Sequence, residues 1–267
     1  MSVVQISSKF LARMKKRSSQ NSQLALDREK IILELLSDCS AHTAERAAVA
    51  SYPSRYSPIE FRGGDRAQGT TVAFSSLMLQ GGIVGPEFEN FLSKDWGDTY
   101  FIKDFKRKWF QHGLYPLTHG RNETVEFLRV QLETAARPLR FVGASAGAYA
   151  ALYFGAHLQA DVVVAVAPQT LIDEPTYNRF QRGSPQDGVY DFADPENDIR
   201  NVLEANPMQG KAFVVFGQEH KVDRTQCERL EGLPNILLRP YPSAQHTLLT
   251  RQLIKSGVLA GLLAGET

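Results

Sequence analysis

The chain has 267 residues, of which 43% are hydrophobic and 22% charged, and its formal net charge is +1. This length fits one large α/β domain, or a core domain with an appendage, and it is long enough to bury a sizeable core. The near-neutral charge gives no electrostatic basis for binding a polyanion, so we expect no nucleic-acid partner.

The first 57 residues are predicted to form a helical extension before the main domain at 58–267. Residues 1–26 contain no acidic side chain but several basic ones, which predicts a helix with a solvated basic face. An organellar transit segment, or weak contact of this segment with a membrane surface, is the alternative. Apolar residues at helical spacing over 24–36 predict a second helix that packs against the main body.

From residue 58 the pattern changes to short apolar, β-branched runs, which predict strands. Ile59–Arg62 and Thr70–Phe74 are separated by a Gly-Gly-Asp turn and are interpreted as a hairpin or a pair of neighbouring strands. The aromatic and charged segment at 104–112 is expected to contribute core anchors rather than a ligand platform. Other elements predicted in this half are a short helix at 87–92, a strand at 98–103 and an amphipathic helix at 122–135.

Strands and helices alternate regularly in the second half of the chain. The strand at 161–167 is the most continuously apolar, as is typical of a sheet covered on both faces. The alternation predicts an α/β fold with a mostly parallel, doubly wound sheet and helices on both faces. Residues 171–197 interrupt it and are predicted to form a lid-like insertion. The remaining predicted elements are strands at 139–142, 211–217 and 235–239, and helices from 148, at 199–205, 224–230 and 248–263.

One motif stands out within this alternation. Gly143 to Gly147 spell G-x-S-x-G, between a short buried strand and a helix-forming run that begins at Ala148. This context is required for a nucleophile elbow, in which a strained turn exposes a serine and its crowded flanks accept only small residues. Ser145 is therefore the candidate nucleophile. The alternative is that Ser145 only lines a tight packing turn.

A serine hydroxyl needs a base within hydrogen-bond reach and an acid that orients the base. His246 follows the last predicted strand and precedes the last helix, which makes it the best placed of the six histidines. Asp223 and Glu219 both follow the strand at 211–217, and either carboxylate is a candidate acid. Asp223 is preferred because aspartate is the commoner choice, although a helix N-cap role would also explain it.

The loop after the strand at 70–74 is the candidate for half of an oxyanion hole. It consists of small and apolar residues that follow a central strand, where a backbone N–H can point into the site. We assign this N–H to Leu77, with Ser76 as the near alternative.

Residues 70–265 resemble the α/β-hydrolase superfamily, on the basis of the Gly143–Gly147 elbow, the loop acid Asp223 and the late His246, in that order. The resemblance implies a nucleophilic Ser145, an oxyanion hole completed by the N–H of Ala146, and an acyl-enzyme intermediate. There are two departures. Ser75-Ser76 stands where many members carry His-Gly, and the extension before residue 58 is not part of the common core.

The sequence therefore predicts a serine hydrolase that cleaves a carboxylic ester or thioester of a small molecule or acyl chain. An acyltransferase with the same triad, or a non-catalytic binding protein on the same fold, are the alternatives. No P-loop, dinucleotide motif or metal-ligand spacing occurs, so no cofactor and no metal are expected. Oligomeric state is not predicted.

Cysteine and hydropathy bear on location. The two cysteines, Cys39 and Cys227, form no C-x-x-C pair, which favours a reducing compartment and a cytoplasmic location. No apolar run approaches the roughly 18 residues that a membrane-spanning helix needs, so no transmembrane segment is expected.

Overall fold

A seven-stranded sheet is the centre of the domain. The computed structural model describes residues 58–77, 88–92, 96–104, 106–115, 117–180 and 190–266. The predicted extension at 1–57 lies outside this part of the chain. The strands are β1 Ile59–Arg62, β2 Thr70–Phe74, β3 Asp98–Ile102, β4 Leu139–Ala144, β5 Val162–Val166, β6 Lys211–Gly217 and β7 Ile236–Tyr241.

The strand order is β1-β3-β2-β4-β5-β6-β7, and every pair except β1 with β3 is parallel. This confirms the predicted mostly parallel sheet. The predicted hairpin is wrong, because β3 lies between β1 and β2: Phe61 pairs with Tyr100, and Val72 pairs with the same residue from the other side. The short turn after β1 therefore leads to a non-adjacent position in the sheet, and β1 is an edge strand.

Helices over the described residues are α1 Arg121–Gln131, α2 Ala146–Leu158, α3 Glu174–Phe180, α4 Ile199–Ala205, α5 Lys221–Glu228, α6 Leu249–Lys255 and α7 Val258–Leu263. The last predicted helix is in fact two, because Gly257 adopts φ +78 and turns the chain between α6 and α7. Residues 88–92 form turns rather than the predicted helix.

The two faces of the sheet are covered by different helices, as predicted. On one face, Phe74 contacts Phe141 and stacks on Phe154 of α2, with ring centroids 5.5 Å apart in both pairs. On the other face, Val142 and Val164 belong to a buried cluster together with leucines of α6 and α7. Each fully buried aromatic or aliphatic side chain of this kind stabilises the fold by about 1.5–3 kcal/mol.

The described parts of the 171–197 insertion are anchored to the core by a buried arginine. Arg121, at the start of α1 and 7% exposed, forms an ion pair with Asp194 and donates to the carbonyl of Glu196 at 3.0 Å and to the Tyr149 hydroxyl at 2.7 Å. The first part of the insertion is helical, which the irregular composition did not predict. Residues 181–189 lie outside the described part of the chain.

Among the described residues, none of the helices combines the length and the apolar character that crossing a bilayer requires.

Candidate active site

Ser145 stands on a sharp turn between β4 and α2. Its backbone has φ 54 and ψ −118, a conformation that L-residues with a Cβ rarely adopt. Such strain persists only where the surroundings enforce it, and it concentrates at functional sites. Here the Ser145 N–H donates to the carbonyl of Val166 at 2.8 Å, which ties the turn to the end of β5. The predicted strand-turn-helix context of the motif is present.

Both flanking glycines are required by backbone crowding. A Cβ on Gly143 would lie 2.0 Å from the carbonyl oxygen of Gly147, and a Cβ on Gly147 would lie 2.3 Å from that of Phe74. The atoms in the way belong to the main chain of β2 and α2, so no side chain can rotate to make room. The two glycines allow the elbow to pack against the loop that follows β2.

Gly147→Ala is expected to destabilise the protein by about 1–3 kcal/mol, because the added methyl group must displace the backbone at Phe74 and Ser75. Urea unfolding followed by circular dichroism measures the change. Gly63→Ala is the matched control, since a Cβ there meets only a ring carbon of Phe61 at 3.9 Å. Equal midpoints for the two variants would contradict the crowding argument.

The structure brings Ser145, His246 and Asp223 together from three separate segments: the elbow, the chain after β7 and the first turn of α5. The Nε2 atom of His246 lies 3.2 Å from the Oγ atom of Ser145. The Nδ1 atom of His246 lies 2.8 and 2.9 Å from the two carboxylate oxygens of Asp223. Asp223 is 3% exposed, whereas the imidazole is partly open to solvent. A hydroxyl, an imidazole and a buried carboxylate in this order can transfer a proton away from the hydroxyl.

The loops that carry the acid and the histidine are bonded to each other. The N–H of Glu219, after β6, donates to the carbonyl of Ser243, after β7, at 3.2 Å. The Ser243 hydroxyl in turn accepts the N–H of Gln245 and donates to Gln252 of α6. These bonds hold the backbone that leads into His246 and tie it to the side chain of Gln252 on α6. The Glu219 side chain is exposed, and the structure does not bring it to His246.

Asp223 lies in the first turn of α5, not before it. The predicted start at residue 224 is wrong, because His220 caps this helix: its Nδ1 atom accepts the N–H of Asp223 at 3.2 Å. An N-cap role for Asp223 is therefore replaced by one for His220. A carboxylate in the first turn is also stabilised by the positive end of the helix dipole.

His220, Asp223 and His246 form a cluster whose ligand atoms lie within 4.8 Å of one another, a separation that a divalent cation can bridge. The hydrogen bonds of the cluster account for its geometry without a metal. The Nδ1 of His220 is occupied by the α5 cap, and that of His246 faces the Asp223 carboxylate.

The oxyanion candidates lie on either side of the elbow. Ala146 begins α2, and the first N–H groups of a helix have no acceptor within the helix. Ser76 and Leu77 follow β2 and are buried, and the carbonyl of Leu77 accepts a hydrogen bond from the Arg107 side chain at 3.2 Å. The hydrogen bond from Arg107 thus holds the backbone of this loop. The loop also lies close to the elbow, because the backbone of Phe74 and Ser75 packs against Gly147.

One further polar side chain contacts Ser145, and sequence reasoning missed it. The Nε2 atom of Gln169 lies 3.0 Å from Ser145 Oγ and the Oε1 atom lies 3.3 Å from it. Oε1 also accepts the indole N–H of Trp109 at 3.0 Å. The available signal was position: Gln169 follows the apolar strand β5, which neighbours the nucleophile strand in the sheet. Trp109 is fully buried, in agreement with its predicted role as a core anchor.

The thiol of Cys227 is not placed for nucleophilic chemistry. It is fully buried in α5, and burial raises its pKa well above the ordinary value, with the nearby Asp223 carboxylate as a further cause. The reactive thiolate is therefore disfavoured. Cys39 lies outside the described residues.

The fold and site together define a class: a doubly wound α/β domain with a serine on an elbow, an aspartate in the first turn of a later helix and a histidine after the last strand. Solved structures of this architecture resemble the chain. A variant of the capsule O-acetyltransferase of Neisseria meningitidis serogroup A, bound to CoA, superposes with a TM-score of 0.57 at 12% identity, covering 76% of this chain and 90% of that one. A second structure of that enzyme gives 0.53 at 13%, covering 75% and 90%.

A fluorophosphonate-binding serine hydrolase of Staphylococcus aureus superposes with a TM-score of 0.50 at 11% identity, covering 75% of this chain and 85% of that one. No protein-family model matches the sequence, and no curated protein matches it significantly. The chain has the α/β-hydrolase fold, and the predicted resemblance is confirmed at this level.

Proposed function

We propose that this protein is a serine hydrolase that cleaves a carboxylic ester or thioester through an acyl-enzyme on Ser145. The observation that carries the proposal is the 3.2 Å contact between Ser145 Oγ and His246 Nε2, with Asp223 on the opposite ring nitrogen. Two independent requirements, an elbow and a late histidine, meet here in one place. A tight packing turn would explain the elbow but not the histidine.

In the first half-reaction, Ser145 Oγ attacks the substrate carbonyl carbon while His246 Nε2 takes the hydroxyl proton. Asp223 stays ionised, holds the proton of the imidazole on Nδ1, and stabilises the imidazolium. The developing oxyanion lies on the N–H groups of Ala146 and Leu77, with Ser76 as the alternative to Leu77. Each such donor contributes about 10²- to 10³-fold to the rate.

The imidazolium then gives its proton to the leaving group, which departs and leaves the acyl-enzyme. In the second half-reaction, water attacks the acyl-enzyme with His246 again as the base, and His246 returns the proton to Ser145 Oγ as the acid is released. An acyltransferase follows the same steps with an alcohol or amine in place of water. One of the structural neighbours is an O-acetyltransferase, which is why the acyltransferase alternative is retained. At 12–13% identity this likeness concerns the fold alone. A non-catalytic role would leave the Ser145–His246 contact without a use.

Labelling with a fluorophosphonate probe tests the proposal, because such probes react only with an activated serine. Wild-type protein is expected to be labelled and to turn over a panel of short acyl esters and thioesters. Ser145→Ala is expected to lose both. The matched control is Ser256→Ala, which removes an exposed hydroxyl of the α6 end that donates only to a backbone carbonyl. Labelling that persists in Ser145→Ala would refute the proposal.

The acceptor is tested separately. Adding alcohols or amines during turnover diverts the acyl group of an acyltransferase into new esters or amides, measured by mass spectrometry of the products. A hydrolase gives mainly the free acid at acceptor concentrations in the millimolar range.

A further inference from the structure

We propose that Gln169 is an additional catalytic residue, which donates a hydrogen bond to Ser145 Oγ, and that Trp109 is a positioning residue which holds the Gln169 amide in the donating orientation. This inference rests on the proposed function of Ser145 and extends it. Neither residue belongs to the triad or to the backbone donors of an oxyanion hole.

The main chain around Gln169 is fixed from two sides. Ala167, directly after β5, adopts φ 49, a left-handed conformation that ends the extended strand. The N–H groups of Thr170 and Leu171 both donate to Oε1 of Gln226, at 2.8 and 3.0 Å. Gln226 lies on α5, the helix that also carries Asp223. Gln169 is 2% exposed, so close packing restricts the position of its side chain relative to the triad.

The orientation of the amide follows from Trp109. An indole N–H is only a donor, so the amide atom that faces it at 3.0 Å must be the oxygen Oε1. The NH₂ group of Gln169 then points at Ser145 Oγ, at 3.0 Å. Rotation of the amide by 180° would bring two buried donors against each other. The serine oxygen therefore accepts from Gln169. Its single proton has two acceptors within reach, His246 Nε2 at 3.2 Å and Gln169 Oε1 at 3.3 Å, and the imidazole nitrogen is the stronger base.

The segment that presents Trp109 is itself strained. Arg107, Trp109 and Phe110 all have positive φ, between 52 and 62. The buried carboxylate of Asp104 offsets the strain by accepting the N–H groups of Arg107, Lys108 and Phe110 at 2.7–2.9 Å. The indole is fully buried and contacts the rings of Tyr177 and Phe180. Strained backbone that is enforced in this way is typical of functional sites.

The donor acts when the serine oxygen carries negative charge. As the proton leaves for His246 and the bond to the carbonyl carbon forms, the Gln169 N–H stabilises the charge on Oγ. It does so again in deacylation, when the bond between the carbonyl carbon and Oγ breaks and Oγ takes its proton back from His246. With the amide reversed, Oε1 would replace the donor as the amide atom nearest Oγ and would compete more strongly with His246 for the serine proton.

Three variants test this assignment in the full-length protein. Gln169→Met keeps the length but removes the donor, and Gln169→Glu replaces it with an acceptor. Trp109→Phe removes the indole N–H and part of the ring volume while it keeps an aromatic ring. The readouts are the second-order rate constant of fluorophosphonate labelling and the acylation burst with p-nitrophenyl acetate. Trp96→Phe, at the opposite end of β3 from the site, is the matched control.

We expect Gln169→Met to lower the acylation rate constant about 10- to 100-fold with little change in KM, and Gln169→Glu to lower it further. Trp109→Phe should lower it about 3- to 30-fold alone, yet add nothing in the Gln169→Met background, because it acts through the amide. A purely structural role of Trp109 would give additive effects in the double variant. Trp96→Phe should label at the wild-type rate.

Acylation by Gln169→Met within twofold of wild type, or additive effects in the double variant, would overturn the inference. If Gln169→Met does not fold by circular dichroism, Gln169→Glu and Trp109→Phe decide the matter: wild-type labelling rates in either would overturn it. Failure of the proposed function looks different, since wild-type protein would then not label at Ser145 at all.

Discussion

Replacement of His246 by glutamine is expected to lower kcat for ester hydrolysis by about 10⁵-fold or more, because over the described part of the chain His246 supplies the one basic nitrogen in contact with the serine oxygen. Without a base, the hydroxyl proton has no acceptor when Oγ attacks. KM should change little, since the imidazole contributes to the transition state rather than to substrate binding. Steady-state kinetics on the ester that wild-type protein turns over best measures the effect.

The matched control for this variant is His119→Gln, which changes an exposed histidine that packs against Tyr115. It should retain the wild-type kcat. The double variant His246→Gln, Ser145→Ala should have a kcat little lower than that of either single variant, because the two residues act as one unit. Near-normal turnover by His246→Gln would exclude this histidine as the base.

Asp223→Asn is expected to lower kcat by about 10⁴-fold. The asparagine amide can place an N–H opposite His246 Nδ1, which favours the tautomer with its proton on Nε2, and that tautomer cannot accept the serine proton. In the wild-type protein both carboxylate oxygens of Asp223 face His246 Nδ1, at 2.8 and 2.9 Å. The orientation and tautomer of the imidazole therefore depend on the charge of this one buried group. Single-turnover acylation kinetics separate the effect from product release.

Glu219→Gln is the control that distinguishes the two candidate acids. The Glu219 side chain is exposed and, among the described residues, does not contact His246. The kcat of Glu219→Gln should therefore stay within about twofold of the wild-type value. A large loss in Glu219→Gln together with a small one in Asp223→Asn would reverse the assignment of the acid.

The order of elements was largely predictable, because strand and helix periodicities are local properties of the sequence. Continuous apolar runs identified β5 and β6 nearly to the residue. Which strands lie next to each other in the sheet was not predictable in the same way. The two residues that follow β1 favour a hairpin locally, yet β3 takes the place beside it through contacts between residues about 40 positions apart. The break at Gly257 was equally invisible in a run of apolar residues with helical spacing.

The site was predictable where it depends on motif and order. The elbow needs small residues at fixed spacing, and a histidine after the last strand must come to the edge of the sheet where parallel strands end. The sequence did not decide which of two carboxylates that follow β6, Asp223 or Glu219, is the acid of the triad. The outcome depended on where α5 begins, and this was set by a cap from His220 that no local pattern indicated.

By itself, the sequence determined the class of fold, the candidate nucleophile and the two loops that approach it, since these follow from periodicity and from the steric demands of a strained turn. Only the tertiary structure decided which carboxylate faces the imidazole and that Gln169 and Trp109 adjoin the serine. These are contacts between side chains 23, 24 and 60 positions apart. Their geometry depends on how the loops pack against one another, which is not encoded in any single stretch of the chain.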